Sequence, residues 1–317
     1  MTAKKIILMG YGKGLVEICK IATKYFNVAG VFTQHAPFYE ENVRYFENMG
    51  NYGLYEDVVE FCAKRNIDCF RSASVTDTDA MEWFRSKNAD LIVCYSLWEV
   101  VKEPFFSICS WVCNVHGSII PNLMGRAPQS WALLNGFDKI GLCVHQMTKV
   151  LDQGRIFKHV DVAIKEDDLP LDIMLRQQEQ LGPLMKSFFE DFLSEKLIGF
   201  DPDFSMGTYW PKISTDIDGR ILWSEPGRLI ERKIRAFNRP YAGAWCLYNG
   251  DRLRILSGKI EDCGFVSSFP GIVFRKNNSD VWISTIDGAV RITRVEYKGE
   301  IRSASELLRL GLWFRDV

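Results

Sequence analysis

The chain contains 317 residues, of which 47% are hydrophobic and 25% are charged, and its formal net charge at pH 7 is −1. This composition is ordinary for a soluble globular protein with room for two domains, and the charge is too small to indicate a nucleic-acid-binding protein. No segment approaches 18 uncharged apolar residues, so the sequence predicts no transmembrane helix.

The cysteines and the amino-terminal segment indicate a cellular compartment. There are nine cysteines, an odd number, and most lie inside apolar runs, which favours free buried thiols in a reducing cytoplasm. Cys109 and Cys113 have no second pair with the spacing of a zinc site, so we expect no metal. Glycines interrupt the apolar run of MTAKKIILMGYGKG too early for a signal peptide. We therefore expect a cytoplasmic protein without membrane attachment.

The first 115 residues alternate short apolar runs with amphipathic segments. Strand–helix alternation of this kind predicts an α/β fold with a doubly wound, mostly parallel sheet, in which ligands bind at the carboxyl ends of the strands. The predicted strands are residues 5–9, 28–33, 67–70, 91–95 and 111–115, and the predicted helices are residues 15–25, 54–65 and 77–87. The acidic, tyrosine-rich stretch 34–53 is long enough to be a functional loop.

Polar residues gather where the fifth strand ends. Asn114 and His116 are two positions apart, so a strand places them on one face. A Pro/Gly-rich loop and a short helix near residues 131–134 follow, and then a predicted hairpin that turns at Asp152-Gln-Gly and returns a carboxylate toward the strand end. An amide, an imidazole and a carboxylate can supply an oxyanion donor, a base and a charge that tunes the base.

The remainder of the chain changes in character. A long amphipathic helix is predicted at residues 171–193, with a kink or restart at Pro183. Beyond residue 205 a short helix, residues 229–237, precedes several short strands joined by tight turns, which is typical of a small β-barrel. This part holds 18 Lys and Arg against 13 Asp and Glu, a mildly basic balance that could favour a phosphorylated ligand.

The motif N-x-H-x-S-[LI]-[LI]-P-x-x-x-G-x-x-P-x-x-W, read from residue 114 and followed by D-x-G-x-I, resembles that of the folate-dependent formyltransferases. Within that superfamily HGSIIPNLMGRAPQSWALLNG is most similar to amino-sugar formyltransferases, such as the formyltransferase domain of the bifunctional enzyme that makes 4-amino-arabinose-modified lipid A. A weaker resemblance continues through residues 234–245. It implies a Rossmann-like catalytic domain at residues 1–204 and a smaller OB-like β-barrel domain at residues 205–317.

The resemblance implies a role for each site residue. Asn114 would donate to the oxyanion, His116 would act as base and then acid, and Asp152 would tune His116. The folate-binding segments carried over from the family are Trp98, Glu99, Val100, Arg126, Thr148, Lys149, Val150, Leu151 and Asp152. The sequence departs from the family at Trp98 and Glu99, and residues 122–124 are apolar where many relatives are basic.

The function implied by the resemblance is transfer of a formyl group from N10-formyltetrahydrofolate to the amine of a nucleotide-linked amino sugar, in O-antigen or other lipopolysaccharide synthesis. The implied assembly is a homodimer, and we expect no nucleic-acid partner. The first alternative is a methionyl-tRNA formyltransferase, whose relatives carry a basic insertion where residues 34–53 here hold one arginine and three glutamates. The second is a non-catalytic nucleotide-sugar-binding protein, although the Asn, His and Asp of the motif are all retained.

Other polar features have simpler interpretations. The glycines of Gly10-Tyr-Gly-Lys-Gly14 follow a predicted strand but lack the spacing of a dinucleotide-binding loop, so a simple turn and a diphosphate contact both stay open. His145 lies inside an apolar strand, and we expect it to be structural. His35 and His159 have no supporting context.

Overall fold

A computed structural model describes residues 3–34, 49–264 and 267–316. The chain forms two compact units. Unit 1 comprises Met1–Pro128, Lys139–Ala163 and Met174–Trp210, and unit 2 comprises Gln129–Asp138, Ile164–Ile173 and Pro211–Val317. The domain boundary expected between residues 204 and 205 stays a prediction. His35 and most of the acidic stretch 34–53 lie outside the described residues.

Up to residue 210 the strands and helices follow one another much as the sequence predicts. They are β1 (Lys5–Gly10), α1 (Gly12–Ala22), β2 (Asn27–Gln34), α2 (Val58–Ala63), β3 (Cys69–Ser72), α3 (Thr78–Lys87), β4 (Leu91–Tyr95), β5 (Val112–His116), β6 (Met124–Gly125), α4 (Pro128–Asn135), β7 (Lys139–Gln146), β8 (Ile156–Ala163), α5 (Pro170–Leu193) and β9 (Tyr209–Trp210).

The described part of unit 1 is built on a seven-stranded sheet in the order β3-β2-β1-β4-β5-β7-β8. The first five strands of that order run parallel, whereas β7 runs antiparallel to β5 and β8 antiparallel to β7. Central strands β1 and β4 consist almost entirely of buried apolar residues, as expected where both faces of a parallel sheet are covered. The expected Rossmann-like, mostly parallel sheet is therefore confirmed.

Helices cover both faces of this sheet. One apolar cluster joins Leu15 and Ile18 of α1 to Leu181 and Phe188 of α5, and a second on the other face contains Phe84 of α3. Helix α5 continues through Pro183, so the predicted restart there is wrong. The apolar residues on either side of Pro183 are held in the core, and this burial outweighs the single backbone hydrogen bond that a proline removes.

The glycines after β1 are explained by their packing against Tyr95. A Cβ atom at Gly10, whose φ is +130°, would lie 1.8 Å from the Tyr95 carbonyl oxygen, and one at Gly14 would lie 2.3 Å from the Tyr95 ring. Lys13 Nζ donates a hydrogen bond to the Gly53 carbonyl oxygen at 2.6 Å. Close packing is thus reason enough for these glycines, and contact with a phosphate stays a prediction.

Unit 2 is the smaller, β-rich unit that the sequence predicts. Unit 2 includes α4 from Gln129 onward. Its later helices and strands are α6 (Gly227–Ala236), β10 (Ala244–Tyr248), β11 (Asp251–Glu261), β12 (Val273–Lys276), β13 (Val281–Thr285), β14 (Gly288–Tyr297), β15 (Glu300–Ser303) and α7 (Ala304–Leu307). These strands pair antiparallel in the order β10-β11-β14-β13-β12, and β15 pairs with β14. An OB-like barrel stays a prediction.

The carboxyl-terminal tail packs onto its own unit. Leu308 and Phe314 are buried, and the Phe314 N–H donates to the Gly271 carbonyl oxygen at 2.8 Å. Leu310 and Trp313 remain substantially exposed. No helix in the described ranges combines the length and apolar character needed to cross a bilayer.

Candidate active site

The site begins at the carboxyl end of β5, where the parallel part of the sheet meets the antiparallel hairpin. Asn114 and His116 lie on this strand, and β7 pairs with it so that His145 lies opposite Asn114 and Cys143 opposite His116. His116 and His145 are both buried, and their ring centroids lie 6.4 Å apart. The hairpin therefore adds a second imidazole to the predicted pair.

Asp152 reaches this strand end from the turn between β7 and β8. Its φ of 53° is left-handed, a conformation that asparagine and aspartate tolerate better than most residues. Its Oδ2 accepts a hydrogen bond from the Gly125 N–H at 2.8 Å and lies 3.8 Å from His116 Nδ1. Its Oδ1 lies 3.8 Å from His145 Nε2. The structure thus brings Asn114, His116 and Asp152 together as expected from the motif.

The loop after β5 is held against the site by buried hydrogen bonds. Leu123, at a φ of 55°, offers its carbonyl oxygen to His116 Nε2 at 3.0 Å and to the Ser118 hydroxyl at 3.2 Å. Its N–H donates to Thr208 Oγ1 at 3.0 Å, and the Arg126 N–H donates to the Trp210 carbonyl oxygen at 3.0 Å. The side chains of Leu123 and Met124 are buried, so these two residues of the stretch 122–124 contribute packing.

These contacts define which nitrogen of His116 can take a proton. A carbonyl oxygen only accepts hydrogen bonds, so the contact with Leu123 requires the hydrogen of the neutral ring to be on Nε2. The lone pair is then on Nδ1, which faces the Asp152 carboxylate. A proton that arrives at Nδ1 would be stabilised by that carboxylate.

His145, expected to be structural, is held in the opposite tautomer. Its Nδ1–H donates to the Gln146 carbonyl oxygen at 2.9 Å, which leaves a lone pair on Nε2. That nitrogen accepts a hydrogen bond from Asn114 Nδ2 at 3.2 Å. Burial lowers the pKa of His145 to about 4, against the opposing attraction of Asp152 and with a further decrease from His116. The ring is therefore neutral near pH 7.

The first predicted folate segment lies in the loop after β4. The guanidinium of Arg126 donates to the Trp98 carbonyl oxygen. The Glu99 side chain accepts hydrogen bonds from Gln34 Nε2 at 3.1 Å, from Ser74 Oγ at 2.7 Å and from the Val75 N–H at 2.8 Å. Gln34 Oε1 in turn accepts from the Trp98 N–H at 2.9 Å. The Glu99 carboxylate is thus engaged in holding the loop.

The second predicted folate segment, residues 148–151, is the turn that leads to Asp152. Thr148 Oγ1 donates to the carbonyl oxygens of Val150 and Gln153 at 3.0 and 2.6 Å, which closes the turn. Lys149 forms a 3.2 Å ion pair with Glu103 at the surface, and Val150 is 53% exposed. A cavity of about 260 Å³ opens beside this turn. Its wall includes Phe106, Val112, Met147, Thr148 and Lys149.

Several supporting residues were not predicted. Gln177 Nε2 on α5 donates to the carbonyl oxygens of Gly117 and Gly141 at 2.8 and 2.7 Å and so ties the loop after His116 to β7. Gln177 lies 60 residues from Gly117 and Thr208 lies 85 residues from Leu123 along the chain, and neither carries a local signal. His145 could have been found by noting that a hairpin partner of β5 places it opposite Asn114. The fourth histidine, His159, is exposed and packs against Phe200.

The described residues contain no group of three or more His, Cys, Asp or Glu side chains able to hold a metal ion. Within the part of the chain that the structure describes, the site offers one imidazole lone pair without a donor, on His116, beside a buried carboxylate and an amide N–H donor. These are the groups needed to move a proton and to stabilise a developing oxyanion.

Comparison with known proteins agrees with this chemistry. The chain is 27% identical to a methionyl-tRNA formyltransferase of Agathobacter rectalis over 253 residues, 78% of this chain and 79% of the relative. Its fold is similar to that of WlaRD, a sugar 3N-formyl transferase (TM-score 0.69, 16% identity, 94% of this chain and 100% of that chain). It is also similar to an N-formyltransferase of Helicobacter canadensis in complex with folinic acid and dTDP-3-aminofucose (TM-score 0.70, 17% identity, 92% of this chain and 100% of that chain).

The family models give the assignment directly. The model described as formyl transferase matches residues 11–186, more than half of the chain, and the model of the formyl transferase carboxyl-terminal domain matches residues 213–310. The chain therefore belongs to the formyl transferase family.

Proposed function

We propose that this formyltransferase transfers a formyl group from N10-formyltetrahydrofolate to the amine of a nucleotide-linked amino sugar. The observation that carries the proposal is the convergence of Asn114, His116 and Asp152 at the end of β5, with His116 Nδ1 facing the carboxylate. The choice of a sugar amine rests on the motif, which is most similar to amino-sugar formyltransferases. The likeness in fold to two proteins named as sugar or N-formyltransferases is consistent with it.

The residues around the site fit a folate. The Trp98–Val100 segment is held by the Arg126 guanidinium and the Glu99 carboxylate, so its backbone is fixed in place. Thr148 and Lys149 of the turn line a cavity of about 260 Å³ whose wall also includes the apolar residues Phe106, Val112 and Met147. We propose that Trp98, Glu99, Val100, Arg126 and residues 148–152 form the folate site, with Glu99 and Thr148 acting through the backbone that they hold.

In this proposal the folate supplies the formyl group and the nitrogen that leaves. His116 Nδ1 accepts the proton that the attacking amine loses, and Asp152 stabilises the resulting imidazolium. The Asn114 amide donates to the formyl oxygen as it becomes negative, a contribution worth about 10²–10³-fold in rate where it has been measured. His116 then returns its proton to the leaving nitrogen.

Transfer to methionyl-tRNA is the second candidate, and the curated relatives favour it. One such enzyme is 27% identical over 78% of this chain. Against it stands the acidic composition of residues 34–53, which would repel a phosphate backbone. We rank it second for this reason.

The wider setting follows from the proposal. An enzyme that uses a reduced folate and an activated sugar would operate in the cytoplasm, where both are made, and free thiols agree with this. We propose a homodimer and a role in O-antigen or related lipopolysaccharide synthesis.

One experiment separates the candidates. The protein is incubated with N10-formyltetrahydrofolate and, in parallel, with a panel of dTDP-, UDP- and GDP-linked amino sugars and with methionyl-tRNA, and the products are analysed by mass spectrometry. A gain of one formyl group on one nucleotide sugar supports the proposal and names the substrate. Formylation of methionyl-tRNA alone would reverse the ranking, and sugar binding without formyl gain would indicate a non-catalytic binding protein.

A further inference from the structure

We infer that His145 is a positioning residue that fixes the orientation of the Asn114 amide. The inference rests on the proposed formyl transfer at this site and adds a residue that the motif does not contain. It is carried by the chain of contacts from the Gln146 carbonyl through the His145 ring to the Asn114 side chain.

His145 is held in one tautomer. Its Nδ1 lies 2.9 Å from a carbonyl oxygen, which only accepts, so Nδ1 carries the hydrogen and Nε2 carries the lone pair. The ring is only 1% exposed, and burial disfavours its charged form. Neither solvent nor a second proton therefore competes for Nε2.

The side chain of Asn114 takes its orientation from His145. Its Nδ2 lies 3.2 Å from the Nε2 lone pair and donates one of its two hydrogens. A flipped amide would place Oδ1 against that lone pair, acceptor against acceptor, so the flipped state is disfavoured. No other described residue accepts from Nδ2, so its second N–H can donate to an oxygen of the bound formyl group.

The imidazoles of His116 and His145 lie beside one carboxylate, that of Asp152. Both lie 3.8 Å from Asp152, yet the lone pair of His145 accepts from Asn114, whereas no residue in the described ranges donates to that of His116. His145 thus orients the Asn114 amide as a hydrogen-bond donor. His116, whose lone pair has no such donor, is left to act as the base. A merely structural histidine would need only to fill its space.

Matched substitutions separate these roles. His145→Gln places an amide oxygen near the position of Nε2 and can still accept from Asn114, whereas His145→Leu fills space without an acceptor. His159→Gln is the control, since His159 lies on the adjacent strand β8 and is exposed. The variants are compared by kcat and by KM for the formyl folate, after thermal unfolding has shown that each is folded.

We expect His145→Leu to lose about 10²-fold in kcat with little change in KM, His145→Gln to keep kcat within about tenfold of wild type, and His159→Gln to match wild type. A folded His145→Leu protein with kcat within about threefold of wild type would overturn the inference. So would equal losses in folded His145→Gln and His145→Leu proteins, because the acceptor would then be irrelevant.

A second readout needs no amine substrate. The chain has four histidines, so nitrogen-15 NMR of the histidine-labelled protein resolves each ring, and the His145→Gln and His159→Gln spectra assign two of them. The inference requires His145 to be neutral and protonated on Nδ1 at pH 7. An Nε2–H tautomer or a charged ring at His145 would overturn it, whatever the amine substrate proves to be.

Discussion

At the residue scale, the site depends on which atoms are left free to react. Backbone carbonyls hold two histidines in opposite tautomers beside Asp152, and among the described residues a donor reaches the lone pair of His145 but not that of His116. The carboxylate is itself fixed by the Gly125 N–H. Each side chain in the proposed mechanism is therefore oriented by a hydrogen bond to a neighbouring group that takes no part in the reaction.

We predict that His116→Asn and Asp152→Ala each nearly abolish turnover and leave the protein folded. The asparagine side chain has no basic nitrogen, and the alanine removes the charge that stabilises the imidazolium. Steady-state kcat/KM measures the effect. Retention of more than about a tenth of wild-type kcat/KM by His116→Asn, a loss below about 1.4 kcal/mol, would contradict its role as the essential base.

The low pKa of His145 predicts acid sensitivity. An unfolded histidine titrates near pH ~6.5, whereas the folded ring does so at about 4. As pH falls through this window the unfolded chain binds a proton that the folded chain does not, so stability decreases by up to about 1.4 kcal/mol per pH unit. Chemical denaturation from pH 7 to pH 5 should show a smaller decrease for His145→Gln than for wild type, and identical slopes would refute this.

At the element scale, the loops that build the site are held by groups outside the motif. Glu99 and Gln34 tie the loop after β4 to the end of β2, and residues of β9 support the loop after β5. The first strand and helix meet Tyr95 so closely that side chains are excluded at Gly10 and Gly14. The contacts of these residues depend on where their strands lie in the sheet more than on the local sequence.

We expect Glu99→Ala to raise KM for the formyl folate by roughly tenfold with a smaller effect on kcat. The substitution removes an acceptor from three donors that fix the loop, and losing such bonds typically costs about 1–2 kcal/mol. Asp161→Ala, which breaks a surface ion pair with Lys139 on the β7–β8 hairpin, is the matched control. Equal KM values for the two variants would show that the hydrogen bonds of Glu99 are not needed to position the loop for folate binding.

Gly14→Ala should destabilise the protein by about 1–3 kcal/mol, although alanine is normally the better helix former. The added methyl group would lie 2.3 Å from the Tyr95 ring. In a Tyr95→Ala background the same substitution should cost little or become stabilising, because the ring is gone. Denaturant unfolding of the four proteins gives the coupling, and an additive result would exclude the clash as the cause.

At the scale of the whole molecule, charge bears on the choice of substrate. Residues 205–317 hold 18 basic and 13 acidic residues, whereas the net charge of the chain is −1, so the remainder is acidic. The acidic composition of residues 34–53 adds to this asymmetry. A weakly charged chain of this kind is better suited to a diphosphate-linked sugar than to a polyanion.

We therefore predict that tRNA is not a ligand. Filter binding of initiator tRNA charged with methionine, at low salt where electrostatic attraction is strongest, should detect no specific complex. The folate-loaded protein serves as a second sample, so that a requirement for the formyl donor is not missed. Micromolar or tighter binding that weakens steeply with salt would make methionyl-tRNA the leading substrate.

The sequence by itself determined the order of strands and helices, because buried strands and amphipathic helices leave different periodicities in a chain. Asn114 and His116 are two positions apart and were evident as a pair, whereas Asp152, 36 residues after His116, was expected there from the predicted hairpin and the resemblance to folate-dependent formyltransferases. His145 was interpreted as structural because it lies in the apolar run of β7. Its contact with Asn114 depends on the strand pairing that sets the two residues opposite each other.

Only the tertiary structure decided the orientations and tautomers of the side chains in the site. The tautomers of His116 and His145 follow from contacts with the carbonyls of Leu123 and Gln146, and the turn of Glu99 toward Ser74 follows from the packing of neighbouring loops. Continuation of α5 through Pro183 depends on a core that no local pattern contains. Such features arise from hydrogen bonds and packing between residues far apart in sequence, where local preference has no influence.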